Sequence, residues 1–143
     1  PQALLGEGKV QIGLTICYEA AFGSEVAQSL PAATILVNVS NDAWFGDTLA
    51  PHQHLQLTRM RARETGRDLL RATNTGISAV IGPDGTVHKR SPQFVSYVLR
   101  AKAELLGGLT PHSRTGDWPA IIMALVVALS GLAFSRRDAM TEA

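Results

Sequence analysis

Cys17 is the only thiol in the chain. It closes an apolar, strand-like run in ICYEAAFG, with a helix expected to follow. A strand-to-helix turn exposes a side chain at the sheet edge and leaves free backbone N–H groups beside it, where they can stabilise an oxyanion. Helix N-termini in general also favour a thiolate. On that reading Cys17 is a nucleophile. A lone cysteine is also commonly a small buried hydrophobe, and position alone leaves both readings open. Glu19, two residues on, is poorly placed in a purely apolar segment and calls for a partner.

Further polar groups follow the next apolar run. Asn38 and Ser40-Asn41-Asp42 stand at the end of TILVNV. Polar groups at the end of a buried strand often line a site, and they also make ordinary Asx-turns. Ala43-Trp44-Phe45-Gly46 then puts two large aromatics in the same loop. Exposed, they would meet an acyl chain or a lipid surface; buried, they would plug the space under the loop. His52 and His54 form a His-x-His pair near a helix start, where the two point apart, and no carboxylate or third histidine lies nearby in the sequence, so no metal is expected. Arg59, Arg61, Arg63, Arg67 and Arg71 accompany Glu64 and Asp68, with Arg59, Arg63 and Arg67 on one i,i+4 stripe. The expectation is a solvated or salt-bridged face, with lipid phosphate contact as its functional alternative.

The elements that must position these groups can be read from periodicity. Val10–Ile16 is a strand with a β-branched bias. Ala20–Ser29 is a helix, with Pro31 just past its end. Thr34–Val39 reads as a strand buried on both faces. Ser40–Gly46 is a loop. Pro51 to about Arg67 is a helix, with Pro51 in its first turn and Gly66 near its end. Leu69–Ala72, Ile77–Ile81 and Phe94–Leu99 are expected as short strands, separated by turn signals at Asn74-Thr75-Gly76 and Pro83-Asp84-Gly85. Strands alternating with helices predict an α/β fold, a sheet covered by helices.

The chain has 143 residues, 45% hydrophobic and 17% charged, with a formal net charge of +1. That suits one domain with a real core and excludes intrinsic disorder. The balanced charge gives no reason to expect nucleic acid as a partner. A single cysteine excludes a disulfide framework and a cysteine-rich zinc site. The chain starts at Pro1 and enters a strand-like run almost at once, with no visible signal peptide; a C-terminal piece of a longer protein is expected.

The apolar residues concentrate at one end. In WPAIIMALVVALSGLAF, Trp118 to Phe134, every residue except Pro119, Ser130 and Gly131 is apolar, and no charge lies between Asp117 and Arg136. A membrane span needs roughly 17–25 such residues. Pro119 falls in the first turn, where its missing N–H costs nothing, and Trp118 sits where an interfacial aromatic should. A buried helix would normally keep a polar stripe, and none is visible here. A transmembrane helix over 117–135 is therefore expected, between a globular part at 1–116 and a tail at 136–143. Arg136 and Arg137 suggest a cytoplasmic tail, but Arg100, Lys102 and Arg114 upstream leave the orientation open on charge alone.

Taken together, ICYE, SNDAWFG, the HLQLTRMRARETGR helix, LLRATNTGISAVIGPDG and the TGDWP-led hydrophobic span resemble the apolipoprotein N-acyltransferases, bacterial membrane enzymes of the nitrilase superfamily. The likeness runs from about Val10 to Arg137. The resemblance implies part of a nitrilase-like α-β-β-α sandwich followed by one transmembrane helix, with the catalytic domain on the periplasmic side of the inner membrane. It implies a Glu-Lys-Cys triad in which Cys17 is the nucleophile, while the Glu and Lys belong to segments N-terminal to this chain. Glu19 then matches a second, supporting glutamate, and Tyr18 matches the tyrosine between them, its backbone N–H an oxyanion donor. Trp44 and Phe45 match a mobile loop where lipid and lipoprotein arrive, with Asn41 beside them.

The implied reaction moves a fatty acyl chain from a phospholipid donor, through a thioester on Cys17, to the N-terminal amine of a diacylglyceryl-cysteine apolipoprotein. No metal or organic cofactor is expected. Two other readings stay open at this point: a membrane-anchored amidase of nitrilase type, and a catalytically incomplete piece acting only as a membrane-bound module. Lacking the triad Glu and Lys, the chain alone is expected to be inactive.

Overall fold

The computed structural model describes residues 4–141, with side chains described as far as Gly131. Five strands form one mixed sheet in chain order: β1 (Ile12–Ile16), β2 (Ile35–Ser40), β3 (Leu69–Thr73), β4 (Ala79–Ile81) and β5 (Val87–Arg90). β1, β2 and β3 run parallel, and β4 and β5 are added antiparallel. Between β1 and β2 lie a 3₁₀ turn (Cys17–Ala21) and a short helix, α1 (Gly23–Ala27). The long helix α2 (Ala50–Thr65) returns the chain to β3.

The core follows from burial of one helix face against one sheet face. Val26 of α1 and Leu55 and Ala62 of α2 pack with Ala33, Leu36, Leu69, Ala79 and Ile81 in a single apolar cluster. The buried positions of α2 are Pro51, His54, Leu55, Thr58, Arg61, Ala62 and Thr65, a stripe at helical spacing. Much of that stripe is polar, and it is buried because it is locally satisfied. Thr58 donates to the Leu55 carbonyl and Thr65 to the Arg61 carbonyl. Gly66 ends the helix with φ 64°, a left-handed cap in which its N–H returns to the Ala62 carbonyl. The opposite sheet face carries an aligned row, Leu14, Val37 and Leu70, whose members are only half-buried.

Several expected elements shift. The helix over Ala20–Ser29 is broken at Phe22, whose backbone (φ −96°, ψ 90°) separates the 3₁₀ turn from α1. The strand expected at Phe94–Leu99 does not form, and Val87–Arg90 forms one instead. The Pro83-Asp84-Gly85 turn is tight enough to fold the chain straight back. Gly82 N–H donates to the Thr86 carbonyl, and Gly85 adopts φ 83°. Asp84 accepts from the N–H and hydroxyl of Thr86, which holds its carboxyl below the ordinary carboxylate range. β5 is a polar edge strand that carries little hydrophobic signal, whereas Phe94 adopts φ 60° and lies outside the sheet.

The arginine expectation holds in part: Arg63 is exposed, and Arg61 and Arg71 are salt-bridged, to Glu64 and Asp42. Arg61, Arg67 and Arg71 are buried. Arg67 follows the Gly66 cap and therefore leaves the helix stripe; it donates to the carbonyls of Ala33, Thr65, Gly66 and Gly108. Burial pushes its guanidinium below the ordinary arginine value. Helical spacing was the wrong ruler for residues beyond the cap.

The C-terminal helix forms as α4 (Trp118–Thr141), preceded by a one-turn helix, α3 (Pro111–Thr115), that Thr110 caps through its hydroxyl. Every residue of α4 from Trp118 to Gly131 is exposed. Among the described residues no helix is long and apolar enough to cross a membrane. The expected span at 117–135 runs past Gly131, and its last part and the tail at 136–143 lie outside the residues whose side chains are described.

Candidate active site

Three parallel strands end on the same edge of the sheet, and register carries one polar row across them. Thr15 pairs with Asn38 and Asn38 with Arg71. All three are buried on the face that the helices cover. Asn38 donates through Nδ2 to Thr15 Oγ1 at 3.0 Å, and its Oδ1 accepts from the guanidinium of Arg71. Arg71 also reaches Asp42 Oδ2 at 2.7 Å. Burial pushes the Arg71 guanidinium below its ordinary value, and the adjacent Asp42 carboxylate pulls it back up. The row thus places a buried ion pair directly beneath the strand ends.

Cys17 stands at the first step beyond β1. It is half-buried and adopts φ 52°, in the left-handed region. For a residue with a Cβ that conformation costs about 1–2 kcal/mol, so neighbouring contacts must hold it. Those contacts are present. The Cys17 carbonyl accepts from Asn38 Nδ2 at 3.2 Å and lies 3.1 Å from His54 Nε2. Glu19 turns back so that its carboxylate accepts the Ile16 N–H at 2.7 Å, the return half of a capping box. Ser40 Oγ lies 3.6 Å from Cys17 Sγ and 2.7 Å from Asp42 Oδ1.

Asp42 is the hub. One carboxylate oxygen meets Ser40 and His54, and the other meets Arg71. Gly76, in the turn after β3, lets this carboxylate come close: a Cβ there would stand 2.2 Å from Asp42 Oδ2 and 2.7 Å from its Cβ. Gly76 therefore serves close approach as well as turning.

The expected site residues divide into two groups. Cys17, Tyr18 and Glu19 share one turn, with Tyr18 58% exposed and Glu19 exposed. Trp44 and Phe45 form a single 3₁₀ turn (Ala43–Phe45) on the loop after β2. Trp44 is 85% exposed, so within the described chain it does not plug the core. Phe45 meets the His54 ring edge-on at 6.4 Å, and Tyr18 tilts against the same ring at 6.1 Å. Asn41 is exposed and caps the loop by accepting the Ala43 N–H. Ile16 and Tyr18, the chain neighbours of Cys17, are exposed apolar side chains, as are Val39 at the end of β2 and Trp44 on the loop that follows. Chemically, this is a half-buried cysteine on a turn with exposed apolar neighbours, its carbonyl held by Asn38 and His54.

The sequence reading missed Asp42, His54, Arg71 and Ser40 as one network. His54 was available as a signal, since it falls on the inward stripe of α2. The pairing of Arg71 with Asp42 spans strands and had no local signature.

Residues 2–105 match the carbon-nitrogen hydrolase family. An apolipoprotein N-acyltransferase from Ralstonia nicotianae is 51% identical over 89% of this chain and 25% of its own length. Proteins of the same name from Methylococcus capsulatus and Nitrosomonas europaea are 46% and 49% identical, over 95% and 89% of this chain and 27% and 26% of theirs. This chain thus spans about a quarter of the length of these relatives. Among solved structures, an amidase from Nesterenkonia sp. aligns with a TM-score of 0.49 at 23% identity, covering 76% of this chain and 39% of that one. The mixed sheet, the helices on its face and the match across most of the sequence lead to one conclusion: the chain belongs to the carbon-nitrogen hydrolase family.

Proposed function

We propose that this chain is the C-terminal part of an apolipoprotein N-acyltransferase and that Cys17 carries the acyl group. The observation that supports this most strongly is the setting of Cys17: a half-buried thiol residue held at positive φ just past a strand end, between the exposed side chains of Ile16 and Tyr18. A thiolate attacks the ester carbonyl of a phospholipid, the C–O bond breaks, and the lysophospholipid leaves as its alkoxide takes a proton. The free amine of a diacylglyceryl-cysteine lipoprotein then attacks the thioester. The C–S bond breaks, the amine loses its proton, and the thiolate returns. Covalent catalysis of this kind splits one hard step into two. The Glu that would serve as base, and the Lys beside it, belong in this reading to segments N-terminal to the chain. The 143-residue chain by itself is therefore expected to show no turnover.

Two further observations support the reading. The half-buried apolar row Leu14, Val37 and Leu70 is the face on which the second sheet of an α-β-β-α sandwich would lie. The apolar helix α4 is exposed on every side from Trp118 to Gly131, a surface too continuous to remain in water. In this reading its continuation through 135 crosses the inner membrane, with 1–116 on the periplasmic side and 136–143 in the cytoplasm. Trp44 and Phe45, with Asn41, meet the arriving lipid.

The test is to incubate the complete enzyme with phospholipid while withholding the lipoprotein acceptor. The expected result is an acyl adduct on Cys17, seen by mass spectrometry of the intact protein and removed by hydroxylamine. An unmodified Cys17, together with ammonia release from small amides, would establish the amidase reading instead.

A further inference from the structure

We propose that His54 is a positioning residue for the Cys17–Tyr18 peptide. By holding the Cys17 carbonyl, it aims the Tyr18 N–H at the place where the oxyanion forms. This rests on the proposed function, in which Cys17 is the nucleophile.

The argument begins with peptide planarity. The carbonyl of Cys17 and the N–H of Tyr18 belong to one trans peptide unit and point in opposite directions. Whatever fixes the carbonyl fixes the N–H. His54 Nε2 lies 3.1 Å from that carbonyl, and Asn38 Nδ2 shares it at 3.2 Å. Cys17 has φ 52°, so its turn stays in place only through such contacts.

His54 is itself well held. It is 3% exposed, and its Nδ1 lies 3.1 Å from Asp42 Oδ1. Asp42 is anchored in turn by Arg71 and Ser40. Both neighbours of the ring are acceptors, a carbonyl and a carboxylate. Because a carbonyl can only accept, the contact to Cys17 uses Nε2 as the donor. A ring flip would put carbons in place of both nitrogens and lose both contacts. Tyr18 and Phe45 close over it at 6.1 and 6.4 Å.

A donor aimed at an oxyanion acts in the transition state more than on bound substrate, so kcat should respond and KM should not. In the complete enzyme, His54→Ala should lower kcat by about tenfold or more with the phospholipid KM within about twofold. His54→Gln keeps an N–H near the Nε2 position and should recover kcat to within about threefold of wild type. Circular dichroism and thermal unfolding check folding, and Cys17→Ala is assayed in parallel. An inactive Cys17→Ala beside a folded His54→Ala with wild-type kcat would overturn this inference alone. An active Cys17→Ala would overturn the proposed function. If His54→Ala does not fold, His54→Gln decides: a folded His54→Gln as impaired in kcat as expected for the alanine variant would overturn the inference.

Discussion

Arg71 in β3 reaches Asp42, in the loop just past β2, with 2.7 Å between its guanidinium nitrogen and the carboxylate oxygen, and neither side chain is accessible to solvent. The pair closes the chain of contacts that runs from the sheet interior to the Cys17 turn. Removing one partner of such a pair leaves an uncompensated buried charge, which costs about 3–5 kcal/mol. Arg71→Leu should therefore destabilise the protein by about that amount in denaturant unfolding. The double variant Arg71→Leu with Asp42→Leu should recover part of the loss. A loss below about 1 kcal/mol in the single variant would show that the pair has little structural weight.

Gly76 sits against the same carboxylate. Gly76→Ala would drive a methyl group into Asp42, since the nearest carboxylate oxygen stands only 2.2 Å from the ideal Cβ position. The expected cost is about 1–3 kcal/mol, together with slower alkylation of Cys17 by iodoacetamide as Asp42 gives way. Unchanged stability and unchanged alkylation would mean that the loop yields freely.

Cys17→Ser tests the sulfur. The swap is nearly isosteric and leaves the backbone contacts of the turn in place, but it removes the thiolate. In the complete enzyme, acyl transfer should fall to background while thermal unfolding shifts by no more than about 1 kcal/mol equivalent. Retained transfer would exclude Cys17 as the nucleophile.

Trp44→Ala tests the loop. The side chain is 85% exposed, so its removal should change stability by no more than about 0.5 kcal/mol. In the proposed function it should instead raise the apparent KM for phospholipid several-fold. A sharp fall in melting temperature with normal kinetics would return Trp44 to a packing role.

Much of the fold was legible locally. The parallel strands β1 and β2 announce themselves as apolar, β-branched runs, and α2 is bracketed by Pro51 and Gly66. These signals are short-range, so they survive in a linear reading. β5 was not legible, because Val-His-Lys-Arg has no apolar alternation and its strand state comes only from pairing with β4. Phe94–Leu99 misled for the opposite reason: its composition suits a strand, but the sheet ladder ends before it, where Ser91 N–H meets the Ser78 carbonyl.

The site divides along the same line. Cys17, Tyr18, Glu19, Trp44 and Phe45 stand out as candidates in the sequence because each belongs to a short motif, and local order is enough to place a thiol at a strand end. The sequence by itself determined the α/β class, the lone thiol and the apolar C-terminal helix. Only the tertiary structure decided that His54, Asp42 and Arg71 meet behind Cys17, and that arginines which look solvated in the sequence are buried. Those contacts join residues 29 and 37 positions apart, and no local pattern encodes which distant charges will share a desolvated space. Burial sets that pairing, because a charge removed from water is tolerated only where the fold supplies its partner.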